Sequence, residues 1–241
     1  MQFTDGVFLT LVGLGAGFVQ RVSGFGLGIF SMMFLPFFLP SHTAAATIST
    51  LFSCVTSSYN TIRYRKQVAY KTVLPMLCAA LVTIPIAVCF SGKVPAATFR
   101  QLLGLVLVLL SIYFMFFSKN FRVAPTRLNG TIAGALGGAL GGLFSTGGPP
   151  AVLYLSSTTN DNITYFASIQ FYFCFTNLYT TATRLMNGMI TTEILIYAMI
   201  GIIGCMTGDL IGRVVFQKLN SSRLKQIIYI GMIISGGTML F

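Results

Sequence analysis

The chain has 241 residues, of which 55% are hydrophobic and only 8% are charged. Because soluble domains carry charge on about a quarter of their residues, this composition excludes a water-exposed surface and predicts an all-α polytopic membrane protein. The net charge of +11 comes from short basic clusters between apolar segments, as in cytoplasmic membrane loops, so the expected partner is the lipid bilayer and not nucleic acid.

Six apolar segments have the length of a membrane-spanning helix, which needs about 20 residues. They are residues 43–62, 72–91, 97–117, 163–183, 192–215 and 224–241. Two further stretches, 6–39 and 128–156, are too long for one helix and contain glycine-rich interruptions. Each of these is either one broken crossing, giving eight crossings in all, or a hairpin of two half-depth helices that enters and leaves on one side.

The basic residues decide between these topologies, because cytoplasmic loops carry an excess of Lys and Arg. With eight crossings, alternate loops hold eight and six basic residues, which is no useful bias. With two hairpins, the loops that begin at Arg63, Lys119 and Arg213 share one side and hold eleven, and the other side holds three, including Arg184. We therefore predict two hairpins, both termini outside, and Arg21 as the one basic residue deep in the membrane.

The chain contains an internal repeat. The motif C-x-T-x-x-Y-x-T occupies residues 54–61 and recurs 120 residues later, at 174–181. The two interruptions, at residues 23–26 and 145–148, match at an offset of 122. Duplicated apolar units are typical of transporters.

Two repeats follow from these offsets, residues 1–120 and 121–241, separated by the basic linker from Lys119 to Arg127. Each repeat contains one hairpin and three transmembrane helices. Because an odd number of crossings reverses the direction of the chain, the repeats are predicted to be inverted relative to each other.

The two interruptions form the candidate binding site. Irregular backbone at membrane depth is tolerated only where it is buried in protein or lines a wet cavity. In each interruption a serine and glycines precede a second helix, whose open N-terminus offers N–H donors and a partial positive charge to an anion. The expected substrate contacts are Ser23, Gly24, Gly26, Ser145, Thr146, Gly147 and Gly148. Close helix packing is the alternative role for these glycines, and the role assigned to Gly17 and Gly134.

Polar side chains on the neighbouring helices complete the candidate site, because polar groups of membrane helices avoid lipid. They are Gln20, Arg21, Cys54, Thr56, Gln170, Cys174, Thr176 and Asn177. Arg21 either pairs with the substrate anion, or it extends toward the membrane interface or bonds backbone carbonyls. Asp209 lies four residues before Arg213, so it forms either a structural helical ion pair or a proton-coupling site.

Several of these motifs carry a family resemblance. Glycine patterns at residues 13–17 and 134–138 lead into the interruptions at 23–26 and 145–149, and a basic loop occupies 63–71. In these features the chain resembles the TauE/SafE family of sulfite exporters, also called TSUP transporters. The resemblance implies a plasma-membrane carrier, working without ATP, for a sulfur-containing anion of the sulfite, sulfonate or thiosulfate class.

We therefore predict a secondary transporter that holds a small oxyanion between the two hairpins near the membrane midplane. No Walker motif is present, so the energy comes from a proton gradient, a sodium gradient or the gradient of the substrate. No cofactor or metal is expected, because the five cysteines lack C-x-x-C spacing. The alternatives are a membrane-embedded enzyme, disfavoured by one histidine and four scattered acids, and a non-transporting assembly subunit. The sequence leaves open whether the chain forms a homo-oligomer.

Overall fold

The computed structural model describes residues 3–39, 41–117, 123–159, 161–215 and 221–240. All regular elements in these ranges are helical, as the composition predicted. The α-helices are α1 (Phe3–Ser23), α2 (Leu27–Phe38), α3 (His42–Tyr64), α4 (Tyr70–Ser91), α5 (Ala96–Ile112), α6 (Arg127–Phe144), α7 (Gly148–Thr158), α8 (Asn162–Met186), α9 (Thr192–Val215) and α10 (Ser221–Leu240). A 3-10 turn follows α3, and a π-helical turn, Tyr113–Phe117, follows α5. Residues 119–122 of the predicted linker lie outside the described residues.

Both interrupted stretches are helical hairpins. Helix α2 runs back along α1, since the ring of Phe38 stacks on that of Phe8 with 3.4 Å between the centroids. Helix α7 runs back along α6, because Tyr154 packs against Gly130 and its hydroxyl donates to the Thr126 carbonyl at 3.2 Å. The chain therefore turns back at residues 24–26, named the first tip, and at residues 145–147, named the second tip.

The first arm of each hairpin is longer than the half-depth helix that we predicted. Helix α1 has 21 residues and α6 has 18, which correspond to about 31 and about 27 Å at 1.5 Å per residue. Only the second arms are short, with 12 residues in α2 and 11 in α7. These correspond to about 18 and about 16 Å, roughly half the hydrocarbon thickness.

Four helical segments in the described part of the chain are long and apolar enough to cross a membrane. They are Asp5–Ser23, Tyr70–Ser91, Ala96–Phe116 and Thr192–Val214. Helices α3 and α8, also predicted to cross, have 23 and 25 residues but are less apolar. Their hydroxyl and amide side chains are largely buried at the centre of the protein, where lipid does not reach them.

Helices α3 and α8, which carry the repeated motif, cross in opposite directions. Near one end of the crossing Arg184 donates to the Thr43 carbonyl at 3.3 Å, and further along Asn177 donates to the Ser53 hydroxyl at 3.0 Å. Residue numbers therefore rise along α3 as they fall along α8. These two helices thus run antiparallel where they meet.

Glycines bring two other helix pairs into backbone contact. Gly17 of α1 lies against the Cys205 carbonyl of α9, and Gly134 of α6 lies against the Met76 carbonyl of α4. A side chain at either glycine would overlap that carbonyl, which confirms the predicted packing role. Helix α1 thus packs on α9 of the other half, and α6 packs on the equivalent helix, α4.

Gly134→Ala is expected to destabilise the protein, because the added Cβ overlaps the Met76 carbonyl oxygen, which belongs to a rigid backbone. We expect a loss of about 1–3 kcal/mol, typical of an overpacked interface. Thermal unfolding in detergent micelles measures the change. The matched control is Gly237→Ala, since a Cβ there meets nothing within 4 Å. Equal melting temperatures for the two variants would contradict the packing role.

Candidate functional site

A cavity of about 490 Å³, including the space at its open side, lies where the two hairpin tips meet. Its lining consists of Gln20, Gly26, Leu27, Gly28, Ile29, Ser53, Ile84, Gly137, Gly138, Gly141, Ser145, Thr146, Gly147, Gly148, Tyr172, Phe173, Thr176, Asn177 and Thr180. None of these described lining residues is charged. The cavity therefore depends on neutral donors and acceptors for its polarity.

The two tips are in direct contact. Gly28, in the first turn of α2, lies so close to the Ser145 carbonyl that a side chain would overlap it. On the other side, a Cβ at Gly148 would lie 3.4 Å from Phe25. Gly26 and Ser145 adopt positive φ angles of 102° and 59°, which turn the chain sharply enough to bring the second arms together.

Helices α2 and α7 begin at the cavity without a side-chain cap. Their N-cap residues, Gly26 and Gly147, have no capping side chain, whereas Ser41, Thr126 and Asp161 cap α3, α6 and α8. The first N–H groups of a helix have no partner within the helix, so those of α2 and α7 are available to a ligand.

Two prolines reduce the number of donors at the second tip. Pro149 and Pro150 occupy the first turn of α7 and have no N–H. Gly147 and Gly148 therefore supply the open backbone donors on this side. On the other side, Leu27, Gly28 and Ile29 supply them from the first turn of α2.

The side chain of Thr146 adds an unpaired polar group to this cavity. Thr146 is only 1% exposed, and its hydroxyl has no hydrogen-bond partner among the described residues. A buried polar atom without a partner costs free energy, which a bound polar ligand would recover.

Two buried glutamines fix the first tip behind the cavity. Gln20 donates to the Gln170 side-chain oxygen at 3.0 Å, and Gln170 donates to the Gly24 carbonyl at 2.9 Å. Thr56 donates to the Gln20 oxygen at 3.5 Å. Gln20 is thus held with one face toward the cavity, while its partners lie behind it.

The structure brings eight of the fifteen predicted site residues to the cavity and leaves seven outside its lining. The lining residues are Gln20, Gly26, Ser145, Thr146, Gly147, Gly148, Thr176 and Asn177. The others are Arg21, Ser23, Gly24, Cys54, Thr56, Gln170 and Cys174.

The residues outside the lining have other contacts. Ser23 donates to the Val19 carbonyl at 2.7 Å and contacts the Phe25 carbonyl, so its hydroxyl is engaged within the first hairpin. Cys174 lies 3.4 Å from the Ser58 hydroxyl at the crossing of α3 and α8. Cys54 is a free, half-buried thiol on α3.

Arg21 belongs to a buried polar cluster beside the cavity. Its guanidinium donates to the Asn60 side-chain oxygen at 3.3 Å and to the Tyr64 hydroxyl at 2.8 Å. Asn60 donates in turn to Asp209 at 3.1 Å, and the predicted ion pair of Asp209 with Arg213 forms at 3.2 Å. In this conformation Arg21 joins α1 to α3 and is not part of the cavity lining.

Arg184 was predicted in a loop, and this was wrong. It is 0% exposed within α8. Its guanidinium donates to the Thr47 hydroxyl at 2.7 Å, the Gly142 carbonyl at 3.0 Å and the Thr43 carbonyl at 3.3 Å. By hydropathy the apolar segment ends at residue 183, but α8 continues to Met186. Arg184 can be buried there because α3 and α6 supply the acceptors for its guanidinium.

Sequence reasoning also missed several lining residues. Ser53 and Phe173 stand at equivalent positions of the repeat, 120 residues apart, and both line the cavity. Both directly precede the repeated motif, so extending that motif by one residue would have found them. Nothing in the sequence pointed to Ile84 or Tyr172, which reach the cavity through tertiary packing alone.

The described residues form ten α-helices, and four helical segments are long and apolar enough to cross a membrane, which defines a polytopic membrane protein. The model of the protein family described as "Sulfite exporter TauE/SafE" matches residues 9–239. The chain belongs to this family. It is therefore a transporter and not an enzyme, and the resemblance read from the glycine motifs is confirmed. No curated protein and no solved structure matches the chain.

Asn60→Leu is expected to lower the free energy of unfolding by about 1–3 kcal/mol, because it removes the amide that bridges Arg21 and Asp209 and leaves the half-buried guanidinium and the buried carboxylate each short of one partner. Thermal unfolding in detergent measures the loss. The control is Asn162→Leu at an exposed position of α8. An Asn60→Leu melting temperature equal to that of the control would refute the bridging role.

Proposed function

We propose that this chain is a secondary transporter that moves a small sulfur-containing oxyanion, of the sulfite, sulfonate or thiosulfate class, across the plasma membrane. The observation that carries this proposal is the convergence of two uncapped helix N-termini, those of α2 and α7, on one cavity. Each terminus carries roughly half a positive charge, so the pair complements one negative charge.

The neutral lining supports transport rather than permanent binding. An anion that binds to backbone N–H groups and hydroxyls is held by donors alone, and no fixed cation in the described lining retains it. A transported solute must bind well enough to enter and weakly enough to leave. Such an anion has several oxygens, which can accept hydrogen bonds from two sides of the cavity. The donors are the Gly147 and Gly148 amides and the Thr146 hydroxyl on one side and the first turn of α2 on the other.

The arrangement of the helices supports two inverted repeats, residues 1–120 and 121–241. Helices α3 and α8 run antiparallel where they meet. The same holds for α5 and α10, since Arg100 donates to the Thr238 carbonyl and Ser111 to the Tyr229 carbonyl, each at 2.6 Å. A twofold axis in the membrane plane relates antiparallel equivalents in this way, and rocking of one unit against the other gives alternating access.

The short second arms favour a site near the midplane. Helices α2 and α7 correspond to about half the hydrocarbon thickness, so an arm that starts at the membrane surface places its tip near the centre.

With Arg184 buried, only Lys93 and Arg100 remain as basic residues on the proposed outer side. This distribution favours both termini outside.

Asp209 is the candidate for coupling to protons. It is 1% exposed, and its partner Asn60 also donates to the Thr56 carbonyl at 3.0 Å. Thr56 in turn bonds Gln20 in the cavity lining. Asp209 therefore has a hydrogen-bonded route to the substrate cavity, whereas the described residues contain no group of acidic, histidine or cysteine side chains that could hold a metal ion.

Side chains at Gly141 test the site without disturbing the fold. A Cβ there would lie 3.6 Å from the Gly147 Cα, an ordinary contact, whereas a Cβ at Gly147 would overlap the Gly137 carbonyl. We expect Gly141→Ala to reduce and Gly141→Leu to abolish sulfite flux into proteoliposomes, because added volume covers the Gly147 amide.

The control for this series is Gly237→Leu, which adds the same side chain where nothing lies within 4 Å. Uncharged dimethyl sulfone serves as the solute control, since an anion site should not carry it. Sulfite flux through Gly141→Leu at the wild-type rate, in correctly folded protein, would rule out this cavity as the transport site.

Cysteine labelling tests the topology. In a cysteine-free background, Lys93→Cys is expected to react with an impermeant maleimide from outside the cell and Asn162→Cys only from the cytoplasm, because two hairpins place these exposed positions on opposite sides. Eight crossings would place them on the same side, so labelling of both from outside would overturn the hairpin topology.

A further inference from the structure

Arg184 is a buried cation with no anionic partner. Its three acceptors, two carbonyls and a hydroxyl, are all neutral, and it forms no ion pair with a described residue. Its Nε has no hydrogen-bond partner there either. A buried charge left without a counter-charge is strongly unfavourable, so proteins rarely retain one without a use for it.

This cation lies close to the cavity, and three helices connect it to lining residues. On α8, Thr180 lines the cavity and Arg184 follows four residues later. On α6, Arg184 binds the carbonyl of Gly142, the neighbour of the lining residue Gly141. On α3, it binds Thr47, one turn before Thr50, which donates to the Ser145 hydroxyl at 3.2 Å.

Arg21, on the other side of the cavity, has a different environment. Its guanidinium binds Asn60, which also donates to the carboxylate of Asp209, and that carboxylate is paired with Arg213. Its guanidinium also lies 4.8 Å from the centre of the Phe166 ring. Among the described residues, Arg184 has neither a carboxylate nor a ring in contact. The C-terminal ends of α6 and α8 offset only part of its charge, and no full counter-charge faces it.

We infer that Arg184 provides the fixed positive charge that makes the cavity selective for anions. This rests on the proposed function. Arg184 does not touch the substrate: it is a specificity-determining residue that acts through its field, which is strong because the surroundings exclude water. A bound anion in turn supplies the counter-charge that Arg184 lacks. The effect should be larger for a dianion than for a monoanion of similar size.

The test separates charge from hydrogen bonding with four variants. Arg184→Gln removes the charge, and Thr47→Asp keeps the arginine but places a carboxylate beside it. Arg184→Lys keeps the charge, and Thr47→Val removes a hydrogen-bond partner only. Flux of sulfite into proteoliposomes is measured at alkaline pH, where sulfite is the dianion, with methanesulfonate as the monoanion.

We expect Arg184→Gln and Thr47→Asp each to raise the KM for sulfite by about tenfold or more, with a smaller rise for methanesulfonate. Arg184→Lys and Thr47→Val should leave both KM values within about threefold of wild type, a change worth well under 1 kcal/mol. A maximal rate close to that of wild type in Thr47→Asp shows that the fold is intact, so the inference stays testable even where Arg184→Gln misfolds.

Two results overturn the inference. One is an unchanged KM for sulfite in folded Arg184→Gln and in Thr47→Asp. The other is an equal rise in KM for all four variants, which assigns Arg184 to hydrogen bonding between α3, α6 and α8. If the wild-type protein itself neither transports sulfite nor is stabilised by it against heat, the proposed function fails instead, whatever the variants do.

Discussion

The constraint on which this structure depends is that lipid offers no hydrogen bonds to the backbone. Nearly all of the chain meets it by forming helices, whose interiors satisfy their own N–H groups. At the two hairpin tips, α2 and α7 begin without a side-chain cap. Because those N–H groups cannot face lipid, the fold places both tips against each other inside the protein. The cavity between them follows from that placement.

The rest of the fold makes room for this arrangement. Glycines on α1 and α6 allow close backbone contact with α9 and α4, so two tightly packed helix pairs surround the centre. Helices α3 and α8 then turn their polar residues toward each other and away from lipid. The bond from Gln170 to the Gly24 carbonyl shows how the same residues also hold a tip in place. The same helix contacts therefore pack the protein closely and keep its polar side chains away from lipid.

Charge is distributed in a way that suits an anion carrier of the TauE/SafE family. The described cavity lining is neutral, the helix ends are positive, and the two arginines nearest the site lie on opposite sides of it. Arg21 contacts no carboxylate directly and shares a cluster with the ion pair of Asp209 and Arg213, whereas Arg184 forms no ion pair with a described residue. Under the proposed function, an anion thus meets Arg184 on one side and, on the other, a hydrogen-bonded cluster of two arginines and one carboxylate.

The sequence by itself determined the positions of the helices, the two interruptions and the repeated motif, because hydropathy and glycine patterns are local properties of the chain. It also placed eight residues of the cavity. Only the tertiary structure decided that the tips touch, that Arg184 is buried, and that Ile84 and Tyr172 reach the cavity. These depend on contacts between residues far apart in the chain. The half-depth first arms were wrong for a related reason: helix length in α1 and α6 follows packing against α9 and α4, which no local pattern records.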